Sequence, residues 1–247
     1  MPRVAIIADI HGNLVALRAA LADIERREVD QIVCLGDLGA TGPEPALCVA
    51  EIRRLEFPTI RGNADDELLD PPDPADEEGP MRRILEISEW AASQLTAPDR
   101  DFLSNLPPTL ELEYGRDRAA LFVHGSPRSF DETIYATTGA EDLDAMIAGI
   151  DADILICAHT HLQMLRRHRD MLIVNPGAVG LTYHPVPPAD EIRNVAWAEY
   201  GILDVEDSGL AVEFHRVPYD IEELRNSIAE SDMPHREWWS SLWRAAP

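Results

Sequence analysis

"RVAIIADIHGNLVALRAALADIERREVDQIVCLGD", Arg3 to Asp37, decides how this chain folds. It begins with a short run of β-branched and small apolar residues, 3–9. Leu14, Leu17, Leu21 and Ile24 then recur at helical spacing with charges opposite, so 13–28 is predicted as an amphipathic helix. A second apolar run, 30–37, follows. The alternation continues with a helix over "PEPALCVAEIRRL" (43–55) and a third strand over "FPTIRGN" (57–63). Strands alternating with helices imply a parallel sheet covered by helices, with ligand-binding groups at the carboxyl ends of the strands.

Residues 65–80, "DDELLDPPDPADEEGP", interrupt the pattern with eight carboxylates, four prolines and no basic residue, and read as an exposed acidic loop. Helices are expected over 81–95 and 97–106. The chain then turns strand-like at 109–114, 118–125, 152–159, 171–177, 196–205 and 210–217, with one helix at 139–150. No repeat or long linker is visible. Residues 1–247 are therefore expected to form a single domain, carrying an acidic loop and helical insertion at about 65–106 and C-terminal helices at about 219–247. Trp239 and Trp243, at helical i, i+4 spacing, read as core, with a homo-oligomer interface as the alternative.

Composition narrows the function. Lys plus Arg total 21 against 45 Asp plus Glu, a formal net charge of −24. So acidic a surface repels phosphate backbones and argues against broad nucleic-acid binding, while a local site for a small phosphate ester stays open. No run approaches the ~18–20 apolar residues of a membrane span. The N-terminus lacks a signal-peptide pattern, and Cys34, Cys48 and Cys157 form no CxxC pair. These features predict a cytoplasmic protein without a membrane anchor, its thiols reduced, with Cys34 and Cys157 buried in apolar strands.

Polar, metal-competent side chains recur just after strand after strand. Asp9 and His11 follow the first, Asp37 the second and Asn63 the third; His124 ends "ALFVHGSP", and His159 and His161 end "ILICAHTH". One histidine beside an apolar run is commonly a turn or core residue. Seven carboxylate, imidazole and carboxamide groups at five strand ends instead indicate a gathered site. That ligand mixture suits divalent Mn, Fe, Zn, Co or Ni better than Ca, and the lack of Cys argues against structural zinc. In Asp-x-His and His-x-His, alternate residues of an extended backbone face the same way, which predicts how each pair reaches one cluster.

The blocks "DIHGN", "GDLGATGP", "GNAD", "HGSP" and "AHTH" resemble, in order and spacing, the signature blocks of the calcineurin-like metallophosphoesterase superfamily, over about residues 3–180. The similarity is strongest to its small bacterial and archaeal phosphodiesterase branch. The resemblance implies an α/β fold, a four-layer α/β/β/α sandwich of two mixed sheets flanked by helices. It implies two divalent metal ions, manganese foremost: one held by Asp9, His11 and His161, the other by Asn63, His124 and His159, with Asp37 bridging. It further implies phosphodiester hydrolysis by a metal-bridging hydroxide, with Asp9, Asp37, Asn63 and His124 in catalytic roles.

Two departures qualify that expectation. The family usually has His after Gly-Asn in the third block, whereas Ala64 stands here and can neither donate a proton nor stabilise a leaving group. After the Gly-rich turn, Thr182-Tyr183-His184-Pro185 replaces the Arg-containing stretch of the branch. His184 is a candidate acid or phosphate contact, Arg128 a candidate substrate contact or surface ion pair, and Asp65 a candidate to orient a ligand histidine. Alternative functions are a protein phosphatase or dinucleoside polyphosphatase, which the lack of an Asp-Arg-Gly turn after the second block disfavours, and a non-catalytic scaffold, which would tend to lose ligands.

Overall fold

The computed structural model describes residues 3–114, 119–183, 193–206 and 209–246. In chain order the opening elements are β1 (Val4–Ile7), α1 (Leu14–Ile24), β2 (Gln31–Cys34), α2 (Pro45–Leu55), α3 (Asn63–Leu69), α4 (Gly79–Gln94) and α5 (Ala97–Ser104). A second group follows: β3 (Thr109–Glu113), β4 (Ala119–Val123), α6 (Ala140–Met146), β5 (Ile154–Ile156), β6 (Met164–His168) and β7 (Met171–Asn175). The chain closes with β8 (Asn194–Val195), β9 (Trp197–Glu206), β10 (Gly209–Pro218), α7 (Ile221–Glu230), α8 (Arg236–Ser241) and β11 (Trp243–Arg244).

Two mixed sheets result, in orders β10-β9-β1-β2 and β3-β4-β5-β7-β6. β1 pairs parallel with β2 and antiparallel with β9; β4, β5 and β7 run parallel between antiparallel β3 and β6. The two-residue period of a strand then builds four layers. Val4, Ile6 and Ala8 of the first sheet meet Ala120, Phe122, Ile154 and Ile156 of the second in one core between the sheets. The alternate residues Ala5 and Ile7 pack outward against α1 and α2, through Leu17, Ala20, Val49 and Ile52. On the other side, Val123, Leu155 and Ile173 pack against Leu143 and Met146 of α6. This is the predicted α/β/β/α arrangement.

Several local expectations need correction. Residues 57–63 do not form a strand; Thr59 makes one isolated parallel bridge to Cys34. Because Pro58 has no N–H to give, the segment holds β2 through Pro58 O and Ile60 N alone. The start of the predicted acidic loop is helix: α3 buries Leu68, and Asp65 is wholly inaccessible. β6 was not anticipated, its "MLRRH" hiding an alternation of buried ends and exposed middle. Trp239 and Trp243 are both buried, as core, with Leu224 and Ile228, but Trp243 belongs to β11 rather than to a continuing helix. All three cysteines are free and buried. No helix among the described residues is long and apolar enough to cross a membrane.

Candidate metal centre

The parallel strands of both sheets end at one place. Turns leaving β1 and β2 are tied together by Asp9 N–H to Gly36 O (3.1 Å) and His11 N–H to Asp37 O (2.9 Å), and Gly180 N–H closes on Asp9 O (2.9 Å). From the second sheet, Ala158 N–H donates to His124 O (2.6 Å), fixing the end of β5 beside the end of β4. Asn175, at the end of β7, donates to Ala158 O and to Thr160 Oγ1 and so braces the turn carrying His159 and His161.

The backbone delivers these side chains differently from the extended Asp-x-His and His-x-His geometry expected from the sequence. Asp9, His11, Asp37, His159 and His161 all have left-handed φ, of 54°, 46°, 58°, 64° and 58°. Side chains with a Cβ enter that region at a cost of about 1–2 kcal/mol each, so their concentration here marks a site that the surrounding fold must impose. The aim of each side chain is set by a tight turn rather than by strand pleat.

Seven predicted residues converge. One oxygen or nitrogen from each of Asp9, His11 and His161 lies within 4.8 Å of the others, and the same holds for Asp37, His124 and His159. Nε2 of His161 is 3.5 Å from Asp9 Oδ1 and 3.2 Å from Nε2 of His11. Asp37 stands between the two groups: its Oδ2 is 3.6 Å from His11 Nε2 and 3.2 Å from His124 Nε2, while its Oδ1 accepts the Ala64 N–H at 2.8 Å. Asn63 Oδ1 joins the second group, 3.0 Å from His124 Nε2.

The ring nitrogens turned away from the centre meet backbone carbonyls. His11 Nδ1 faces Ala40 O (3.1 Å), His124 Nδ1 faces Leu35 O (2.7 Å) and His161 Nδ1 faces Leu181 O (2.6 Å). A carbonyl can only accept, so each Nδ1 carries hydrogen and each neutral ring presents the Nε2 lone pair inward, as a metal ligand requires. Burial keeps His11 and His161 neutral by lowering their pKa values. Burial opposes charge on His124 as well, but Asp37 and Asp9 outweigh it and raise His124 to about 10. A cation entering between those carboxylates must displace that proton.

Asp9 supplies the test of fit. It is 0% exposed, and neither carboxylate oxygen has a hydrogen-bond donor. Burial, with the neighbouring charges of Asp37 and Asp65, drives its pKa far upward against the attraction of His124. A buried carboxylate without donors is costly unless a cation compensates it, and nearby imidazole lone pairs cannot. The donor set of carboxylate, imidazole and carboxamide therefore fits first-row divalent ions.

The remaining candidates fall apart from this set. Asp65 touches no histidine: its carboxylate accepts the backbone N–H groups of Asp37 (2.8 Å), Leu38 (2.8 Å) and Gly62 (2.9 Å), so it locks the Asp37 turn to the start of α3. Burial and the Asp37 charge push it up to about 6 against those three donors. Arg128 is an exposed partner of Glu132, with Nε–Oε2 at 2.9 Å, and also donates to Ala145 O. His184 lies outside the described residues. Its neighbour Tyr183, which the sequence does not single out, stacks on His161 with ring centroids 5.2 Å apart and planes at 7°.

The calcineurin-like phosphoesterase superfamily domain matches residues 3–207 of the sequence. The chain belongs to that superfamily. A metallophosphoesterase from Sphaerobacter thermophilus is 30% identical, with 97% of each chain covered and a TM-score of 0.74. An uncharacterized protein of Methanocaldococcus jannaschii is 29% identical over 95% of this chain and 94% of its own. A hypothetical protein from Pyrococcus horikoshii OT3, 24% identical with a TM-score of 0.78, shares the fold across 97% of this chain and 96% of that one. Phosphoesterase membership accounts for a candidate metal-ligand arrangement at the edge where both sheets end.

The role of Asp65 gives one prediction. Asp65→Asn turns an amide N–H toward a backbone donor and removes the charge that strengthens all three bonds. It should lower metal affinity on the order of 10–100-fold, the usual effect of losing support behind a ligand. Isothermal titration with Mn²⁺ checks this; unchanged affinity would show that the Asp37 turn holds itself.

Proposed function

We propose that this phosphoesterase holds two divalent ions, manganese foremost, and hydrolyses phosphodiesters with acidic leaving groups in the cytoplasm. The observation that carries the reading is the pair of ligand groups sharing Asp37 Oδ2, beside an Asp9 carboxylate that finds no hydrogen-bond donor among the described residues. Asp9, His11 and His161 would hold one ion; Asn63, His124 and His159 the other; Asp37 would touch both. Two such ions, when bound, supply Lewis acidity toward phosphoryl oxygens and a nucleophile available at neutral pH.

The protein's own part is positioning. Carbonyls of Ala40, Leu35 and Leu181 fix three imidazoles in one tautomer, and the Ala64 N–H fixes the orientation of Asp37. Ala64 offers no proton, so position 64 gives the departing oxygen no help and an already stabilised anion leaves most readily. That favours aryl and other acidic leaving groups over alkoxides. The presence of all seven ligand side chains in one cluster weighs against a scaffold that has lost chemistry.

The test is metal content of the purified protein, together with Mn-dependent hydrolysis of bis(p-nitrophenyl) phosphate and of the monoester p-nitrophenyl phosphate. The diester should be the better substrate. A protein that takes up manganese yet cleaves neither ester would sink the proposal. Ala64→His should raise turnover of diesters with poor leaving groups by about a hundredfold while changing acidic ones little, flattening the dependence of rate on leaving-group pKa. An unchanged dependence would mean that Ala64 does not set leaving-group preference.

A further inference from the structure

A cavity of about 290 Å³ opens beside the metal centre. Thr160, the residue between ligands His159 and His161, lines it, as does Tyr183, whose ring lies on that of His161. Ile134 and Tyr135 form the opposing wall; Tyr135 is 42% exposed and Ile134 is buried. The backbone of this wall is pinned, because Arg166 donates to Tyr135 O at 2.9 Å and Ala136 O at 3.3 Å.

The chemistry of the cavity is selective. Its guanidinium, Arg216, is engaged twice: Nε donates to Glu199 Oε1 at 2.7 Å, and the group sits 5.0 Å above the Trp197 ring. Glu199 is 4% exposed, and Gly177 lies so close to Glu199 Oε2 that a side chain at 177 would collide with it. Arg216 is the one cation among the described lining residues, and its Nε is committed to Glu199. Two phenol rings and an apolar wall instead suit a flat, uncharged ring, and the volume matches a small ligand group.

We propose that this cavity seats the organic group of the substrate's non-leaving ester arm, a planar uncharged ring, held against Tyr183 and Tyr135 while the phosphoryl group occupies the metal centre. The proposal rests on the phosphodiesterase reading above and adds to it the substrate class: diesters carrying an aromatic or heteroaromatic substituent. Tyr183 is thereby a specificity residue that also supports His161 from behind.

Binding of two non-hydrolysable probes to the manganese-loaded protein tests it, with phenylphosphonate and methylphosphonate titrated calorimetrically. The wild-type protein should bind the phenyl compound about fivefold more tightly, the scale of one good ring–ring contact. Tyr135→Ala and Tyr183→Leu should each bring that ratio close to one. Tyr135 is outside the ligand set and does not stack on a ligand histidine, so its variant remains informative if Tyr183→Leu disturbs His161, which manganese content will show. Equal affinity for the two probes in the wild type, or a phenyl preference that survives both substitutions, overturns the cavity assignment while diester hydrolysis stands. A protein that neither binds a phosphonate nor cleaves a diester overturns both.

Discussion

Asp9→Asn should abolish manganese-dependent hydrolysis, by on the order of a thousandfold or more, and yet melt at a higher temperature than the parent protein once both are stripped of metal with EDTA. The two effects have one origin. Asp9 is a fully buried carboxylate whose oxygens receive no hydrogen bond, close to a second buried carboxylate at Asp37. A carboxamide removes the charge, can donate to the Nε2 lone pair of His161 3.5 Å away, and is better tolerated at the left-handed φ of 54°. With metal the order should reverse. The parent gains about 2.7 kcal/mol from manganese at a hundred times its dissociation constant, and the variant, lacking a ligand charge, gains little. Scanning calorimetry of both proteins, with EDTA and with saturating Mn²⁺, decides the matter. A variant that melts lower than the parent in EDTA would mean that Asp9 is satisfied within the apo fold.

Gly36→Ala should be strongly damaging although it leaves every ligand in place. Gly36 has φ of +90°, and a Cβ there would collide with the Gly62 nitrogen and lie 2.9 Å from both Arg61 C and Gly62 Cα. These are backbone atoms and cannot rotate aside. Left-handed strain of about 1 kcal/mol adds to an overpacking cost of 1–3 kcal/mol, giving about 3 kcal/mol of lost stability. For a chain of this size that is roughly a 10 °C fall in Tm. The collision separates the turn that carries Asp37 from the one that carries Asn63, so metal affinity should fall with stability. Gly149→Ala is the matched control: φ is +80°, but nothing lies within 4 Å of the added carbon, so only the conformational cost of about 1 kcal/mol remains. Equal losses at the two sites would show that close approach of the turns is not what Gly36 provides.

Much of the fold could be read because its signals are carried by side chains. Leu14, Leu17, Leu21 and Ile24 mark α1 by spacing, and alternate residues of β1 divide between two cores as strand pleat demands. The ligand blocks stood out because carboxylates and imidazoles are conspicuous after apolar runs. What was missed depends on backbone or on tertiary context. The carbonyls of Leu35, Ala40 and Leu181 that fix the imidazoles leave no trace in residue type. The helix α3 was masked by the acidity of 65–80, although Asp65 serves there as a buried anchor for three N–H groups. Strand β6 was hidden because Arg166 and Arg167, one on each face, interrupt its apolar pattern. The stacking of Tyr183 on His161 brings together residues 22 positions apart, and nothing local announces it.

The clustered left-handed ligands also bear on how such a protein would decay. Glycine at positions 9, 11, 37, 159 or 161 would relieve local torsional stress that the present residues endure for the sake of chemistry. Once selection for turnover is lifted, Asp9 is the position with least to hold it, because its buried carboxylate, unlike the rings of His11 and His161 with their carbonyl partners, gains no hydrogen bond among the described residues in return for the stress. The ligand set would then erode from Asp9 outward, well before the sandwich that carries it.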